Sequence, residues 1–198
     1  LAALSLQLQL ARRAADAQSR GEAFGELERG LTRATHCVQQ LLTLARQEPG
    51  GGDRPLMPVN LGDLVAKVVA EQLPLAEDRQ IDLGVTPAAR AVTVRGDAEA
   101  LQILVSNLVG NAIRHTPSGG KVDVAVGDGA DGVFVEVNDS GPGIPVEERE
   151  RVFDRFYRRA QTDEPGSGLG LAIVRTIAER HQASVLLDEA DLGGLRAR

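Results

Sequence analysis

The sequence predicts an α+β protein: an N-terminal antiparallel helical hairpin followed by an α/β sandwich. Three observations predict it. The first 47 residues carry an apolar repeat at 3-4 spacing. After a stretch of helix breakers, short Val/Ile/Leu runs alternate with amphipathic helical segments. Three segments rich in asparagine or glycine then follow in the second half, where the sandwich would do its chemistry.

The elements follow in chain order. Leu1, Leu4, Leu8, Ala11 and Ala15 keep the 3-4 spacing, and Phe24, Leu27, Leu31, Ala34, Val38, Leu41 and Ala45 repeat it after a break read at Gly21. Residues 1–47 therefore read as two antiparallel helices. Each has one apolar seam and the pair alone buries too little, so a second copy is expected to complete a four-helix bundle, giving a homodimer. Residues 48–58, with Pro49, the glycines at 50 to 52, Pro55 and Pro58, read as a linker. Residues 59–198 form the second domain.

Within that domain Leu61, Leu64, Val65, Val68, Val69 and Leu73 mark an amphipathic helix, and β-prone runs follow at 81–85 and 92–95. A second long helix is expected from about Asp97 to His115. Residues 121–126 and 133–137 alternate around Gly-Asp-Gly-Ala-Asp-Gly, which suits a hairpin. A last helix is read from Gly168 to His181, with closing strands at 183–187 and 194–198.

Composition narrows the partners. Only 3% of residues are aromatic while 42% are hydrophobic, so the core must be aliphatic. A formal charge of -6 argues against a nucleic-acid surface, and no nucleic-acid partner is expected. One cysteine, Cys37, cannot form an internal disulfide, which fits a reducing cytoplasmic setting. No apolar run is long enough to span a bilayer. The chain opens on Leu1, so a piece of a longer protein is expected, attached to a membrane only through upstream segments.

Asn107 and Asn111 lie four apart, with Arg114 and His115 three and four further on, so all four share one strip of helix surface. An amide oxygen there is a neutral hard donor that suits magnesium, and Arg114 suits phosphate oxygens. Asp139, in Asn138-Asp-Ser-Gly-Pro-Gly-Ile-Pro145, sits where a strand opens into a glycine turn and can accept from an exocyclic amine such as that of adenine. Gly166, Gly168 and Gly170 lead into a helix whose first amides make a phosphate cradle. A dinucleotide fold would need a strand directly before those glycines; the polar stretch 159–165 stands there instead. Phe153-Asp-Arg-Phe156-Tyr157-Arg158-Arg159 reads equally as a hydrophobic plug or as a mobile lid with cationic phosphate contacts.

In this order and spacing, the four blocks resemble the N, G1, F and G2 boxes of the sensor histidine kinases of two-component signalling. The resemblance covers nearly the whole chain. It implies a Bergerat-type sandwich binding ATP and Mg2+, with Asn111 as metal ligand and Asn107 beside it. By the same resemblance Asn107 and Arg114 would take catalytic roles, and Arg114 and His115 would contact phosphates. His115 departs from the tyrosine often found at its position. Asp139 holds the adenine amine. The remaining nucleotide contacts fall to Gly141, Gly143 and Ile144 of G1, Phe153 and Arg158 of the F box, and Gly166, Ser167, Gly168, Leu169, Gly170 and Leu171 of G2. The hairpin is similar to the family's dimerisation and phosphotransfer domain, which implies a response-regulator receiver domain as partner. It also implies a cytoplasmic location under a parent protein anchored in the bacterial inner membrane.

By the same resemblance the phosphoacceptor histidine belongs roughly two helical turns upstream of Leu1. The expectation is a fragment that binds ATP but does not autophosphorylate. His36 lies in the second helix, off its seam, and reads as a solvated side chain, while His181 reads as a helix-terminus cation. Two rivals are weighed. A gyrase-, mismatch-repair- or chaperone-type ATPase would need a glutamate on the asparagine helix, and none occurs between Leu101 and His115. A non-enzymatic scaffold would sense ATP while docking a response regulator.

Overall fold

In the computed structural model the residues described are 8, 9, 12, 16–47, 55–86, 90–130, 132–158 and 167–198. The chain divides into two compact units, Leu1–Thr43 and Leu44–Arg198.

The first unit is helical where described. Helix α1 spans Ala17–Gln47 and opens on Asp16, whose carboxylate accepts from the backbone N–H and the hydroxyl of Ser19 at 2.8 and 2.9 Å. The break expected at Gly21 is absent, because α1 runs straight through it. An interior glycine costs a helix only about 1 kcal/mol, which its good helix-forming neighbours offset. Along α1 the apolar residues Phe24, Leu31 and Val38 repeat every seven positions and all stand exposed, Leu31 at 59%. The first helix of the expected hairpin falls mostly outside the described residues, as do the side chains of His36 and Cys37.

The second unit is a mixed α/β fold. Strand β1 (Met57–Asn60) leads into α2 (Leu61–Asp78), followed by β2 (Asp82–Thr86) and β3 (Thr93–Gly96). Then come α3 (Ala98–His115), β4 (Lys121–Gly129), β5 (Gly132–Asp139), α4 (Gly170–Arg180), β6 (Leu187–Glu189) and β7 (Leu195–Ala197). Between β5 and α4 lie two single-turn helices, Val146–Glu148 and Arg151–Phe153. Met57 and Pro58, assigned to the linker from sequence, instead open β1, which pairs antiparallel with β3. The other strands form one sheet in the order β2-β4-β5-β7-β6, parallel only between β2 and β4.

The hairpin strands run further than expected. They reach a Gly129↔Gly132 pair, so most of the glycine-rich insert is strand. The strand expected at 183–187 begins only at Leu187. Along β4, Val122, Val124 and Val126 are buried and alternate with more accessible residues, so one sheet face carries the core. The helices cover it with Val65, Val68, Val105, Val109, Ile113 and Val174.

Two of these helices are closed by side chains. Asn60 Oδ1 accepts from Gly62 and Asp63 at the start of α2, and Asp97 Oδ1 from Glu99 and Ala100 at the start of α3. His181 corrects the sequence reading. Its Nε2 accepts from the Asp97 N–H at 3.0 Å and its Nδ1 lies 2.8 Å from the Ile177 carbonyl, so the ring bridges the end of α4 to the start of α3 as the Nδ1–H tautomer.

Candidate functional site

The site is built on the last two turns of α3. Val105, Leu108, Val109, Ala112 and Ile113 bury the other side of this helix, which leaves Asn107, Asn111 and Arg114 half-buried on one strip. Asn107 Nδ2 donates to the Ile103 carbonyl of its own helix at 2.8 Å, which leaves Oδ1 on the side of α4. That oxygen would be 3.1 Å from a Cβ placed on Gly170, and the Asn111 amide atoms 3.4 and 3.5 Å away. The first residue of α4 thus packs against both asparagines, and only a small residue fits there without pushing them. Asn111 Oδ1 accepts from Arg114 Nη2 at 2.6 Å.

Helix α4 starts two residues later than the sequence suggested. Gly168 has φ +70, outside helical space, and Leu169 is the N-cap residue. The Leu169 side chain makes no cap bond, and the Ser167 hydroxyl accepts from the Leu169 N–H at 3.1 Å. Among the described residues no side chain takes up the amides of the first turn, which lie beside Asn107 and Asn111 as an anion site requires. Leu169 is fully buried and Leu171 packs on the core, so these two anchor the turn by their side chains and can serve a ligand only through backbone.

Asp139 closes the other end of the strip. It is the last residue of β5 and only 5% exposed, and its Oδ1 accepts from the N–H groups of Gly141 at 2.8 Å and Leu195 at 3.1 Å. Burial pushes its carboxyl above the ordinary value, against the pull of the Leu195 and Gly141 amides and the charge on His115. Gly141 lies against the end of α3, where an added Cβ would be 2.7 Å from the His115 carbonyl. Gly143 takes φ +64, a conformation that favours glycine.

The remaining expected residues divide. Phe153 and Tyr157 are partly buried against the core, and the Arg175 and Arg151 guanidinium groups lie 5.3 and 5.0 Å from their ring centroids. That supports the plug reading for these two rings. Ile144 also packs on the core, and its carbonyl accepts from Arg149. Phe156, with φ +65, is exposed, and its N–H donates to the Gly168 carbonyl at 2.9 Å, joining the F segment to the glycine segment. Arg158 is exposed, and Gly166 lies outside the described residues. Sequence reasoning missed the Leu195 amide at Asp139; the Gly193-Gly194 pair just before the last strand was the available signal.

Asparagine helix, glycine-led helix start and buried aspartate define a nucleotide-site fold, and the chain belongs to the family of histidine kinase-, DNA gyrase B- and HSP90-like ATPases, which its residues 96–198 match. The sensor histidine kinases are the relatives it resembles. The sensor protein kinase PmrB of Pseudomonas aeruginosa is 37% identical over 186 residues, covering 93% of this chain and 39% of PmrB. The structure of the mycobacterial sensor histidine kinase MprB aligns with a TM-score of 0.63 at 32% identity, over 72% of this chain and 93% of that one. Full-length ShkA in complex with AMPPNP aligns with a TM-score of 0.74 at 27% identity, over 98% of this chain and 40% of ShkA. The chain spans about two fifths of the length of PmrB.

Proposed function

We propose that this chain is the catalytic core of a sensor histidine kinase, which binds Mg-ATP and transfers the γ-phosphoryl to a histidine for relay to a response-regulator aspartate. One observation carries the reading: the start of α4, which no side chain caps among the described residues, packs against Asn107 and Asn111. It joins backbone donors for phosphate to amide oxygens that suit a hard cation. From Asn107 to His115 the strip is about 12 Å along the helix axis, room for a nucleotide to lie with its phosphates at α4 and its base at Asp139.

In this reading Asn111 holds the magnesium ion, which neutralises phosphate charge when bound. Its Oδ1 would exchange the Arg114 guanidinium for the metal, freeing Arg114 to bond phosphate oxygens. Asn107 orients the same phosphates and His115 stands at the rim. The α4 amides from Gly170 onward, with Gly168 and Ser167 ahead of them, cradle the chain end. Asp139 accepts from the adenine amine, and Gly141, Gly143 and Ile144 shape the base pocket. Transfer makes a bond from an imidazole nitrogen to the γ-phosphorus and breaks its bond to the bridging oxygen, releasing ADP. Positioning and charge neutralisation supply most of the catalysis.

The exposed seam of α1 supports a homodimer through a helical bundle over residues 1–47, with a connector that ends before β1 and the ATP-binding domain from Met57 onward. The parent protein is membrane-anchored with this core on the cytoplasmic side, and its receiver-domain partner docks on the bundle.

Titrating ATP with magnesium against wild type and Asn111→Ala tests the site, with a loss of about tenfold or more expected in the variant. Equal binding would refute the ligand assignment. Offered a separate histidine-bearing bundle and labelled ATP, the wild type is expected to phosphorylate it; absence of transfer with ATP binding intact would refute the kinase reading.

A further inference from the structure

The carboxylate at the base end of the site is held by a segment far from it in sequence. Strand β7 pairs with β5 only at Val137↔Ala197 and Asn138↔Arg196. At the next position the Leu195 N–H gives its hydrogen bond to the Asp139 carboxylate instead of to a backbone carbonyl. Gly141 supplies the second bond to the same oxygen, so Oδ1 is doubly held while Oδ2 accepts no hydrogen bond among the described residues.

Gly194 is what lets the strand come this close. A Cβ there would lie 2.3 Å from both the carbonyl oxygen and Oδ1 of Asp139 and 2.5 Å from the Gly141 nitrogen. Two of those neighbours are backbone, so nothing can give way without moving β5 or the turn after it.

Two N–H donors on one oxygen fix the plane of a carboxylate and hold it as an acceptor, because both bonds favour the charged form. The other oxygen is then a single oriented acceptor. It suits an exocyclic amine and opposes a carbonyl oxygen, the group guanine presents where adenine has its amine.

We propose that Gly194 and the Leu195 amide are positioning residues for base recognition: they aim the Asp139 carboxylate so that the site selects adenine over guanine nucleotides. The inference rests on the reading of Asp139 as the base-binding group, and the experiment separates the two.

The affinities of ATP, GTP and inorganic tripolyphosphate, each with magnesium, are measured for wild type, Asp139→Asn, Gly194→Ala and a chain with an ester bond in place of the Leu195 amide. The ester removes one N–H and leaves every side chain, so it decides the matter if Gly194→Ala does not fold. Melting temperature and circular dichroism show that each variant is folded. For Gly194→Ala we expect ATP affinity to fall about tenfold, and for the ester about threefold, with the preference over GTP shrinking in step and tripolyphosphate binding within about twofold of wild type. A folded Gly194→Ala or ester chain with unchanged ATP affinity and ATP/GTP preference would overturn the proposal, as would an equal loss for tripolyphosphate. If Asp139→Asn keeps the wild-type preference, or wild type shows none, the base-binding reading itself fails. If Asp139→Asn loses it while the other two variants keep it, only the positioning role fails.

Discussion

The helices of the α/β unit begin in two different ways. At α2 and α3 a side chain from the preceding residue takes up two backbone amides, Asn60 for one and Asp97 for the other. At α4 the corresponding residue is Leu169, which can cap nothing. A missing cap costs a helix about 0.5–2 kcal/mol. It falls on the helix whose first residue touches Asn107 and Asn111, so stability is conceded where an anion can make up the loss and secured where none is needed.

Four substitutions test this account, in falling order of expected effect. Gly168→Ala should have the largest effect. It forces a side chain into φ +70 and sets its Cβ 2.7 Å from the Phe156 carbonyl carbon and the Tyr157 oxygen, so the turn that presents α4 must move. Loss of nucleotide binding is expected together with about 1–3 kcal/mol of stability, read by ATP titration and thermal melting.

Asp97→Ala should cost about 1–2 kcal/mol in chemical denaturation, and Asn60→Ala, whose bonds are 3.0 and 3.4 Å long and partly exposed, nearer 0.5–1 kcal/mol. Both should leave ATP affinity unchanged. A cap variant that lost affinity would erase the distinction between closed and open helix starts.

The smallest effect on stability is expected at Asp139, and its sign is opposite. Its folded-state carboxyl titrates above the ordinary aspartate value of 3.8, so the folded protein holds a proton more readily than the unfolded chain. Stability contributed by this group is therefore present at low pH and is lost as pH rises from 3.8 through the raised value. Asp139→Asn keeps an acceptor for the Gly141 and Leu195 amides and removes the buried charge. It should melt slightly above wild type at neutral pH, the gap closing on acidification, while ATP binding is lost. A variant less stable at neutral pH would contradict the desolvation account.

What could be read from the sequence depended on whether the signal was local. The helix expected at 97–115 is found at Ala98–His115, because Asp97 caps it and Thr116-Pro117 stops it within the same stretch. Asn107, Asn111 and Arg114 were legible for the same reason, since helical spacing alone sets them side by side. Gly21 misled because a glycine breaks a helix only when its neighbours let it. Strand β1 was hidden because Met57-Pro58 follows other prolines, and only its pairing partner at 93–96 makes it a strand. The start of α4 was placed two residues early because the left-handed turn at Gly168 is stabilised by the Phe156 segment, a tertiary fact. The hold of Leu195 on Asp139 spans 56 positions, so the Gly193-Gly194 pair signals a close approach without naming its partner.

The backbone bond from Phe156 to Gly168 couples an exposed aromatic to the left-handed glycine just before α4. Whatever displaces Phe156 must therefore also be felt at the first turn of α4.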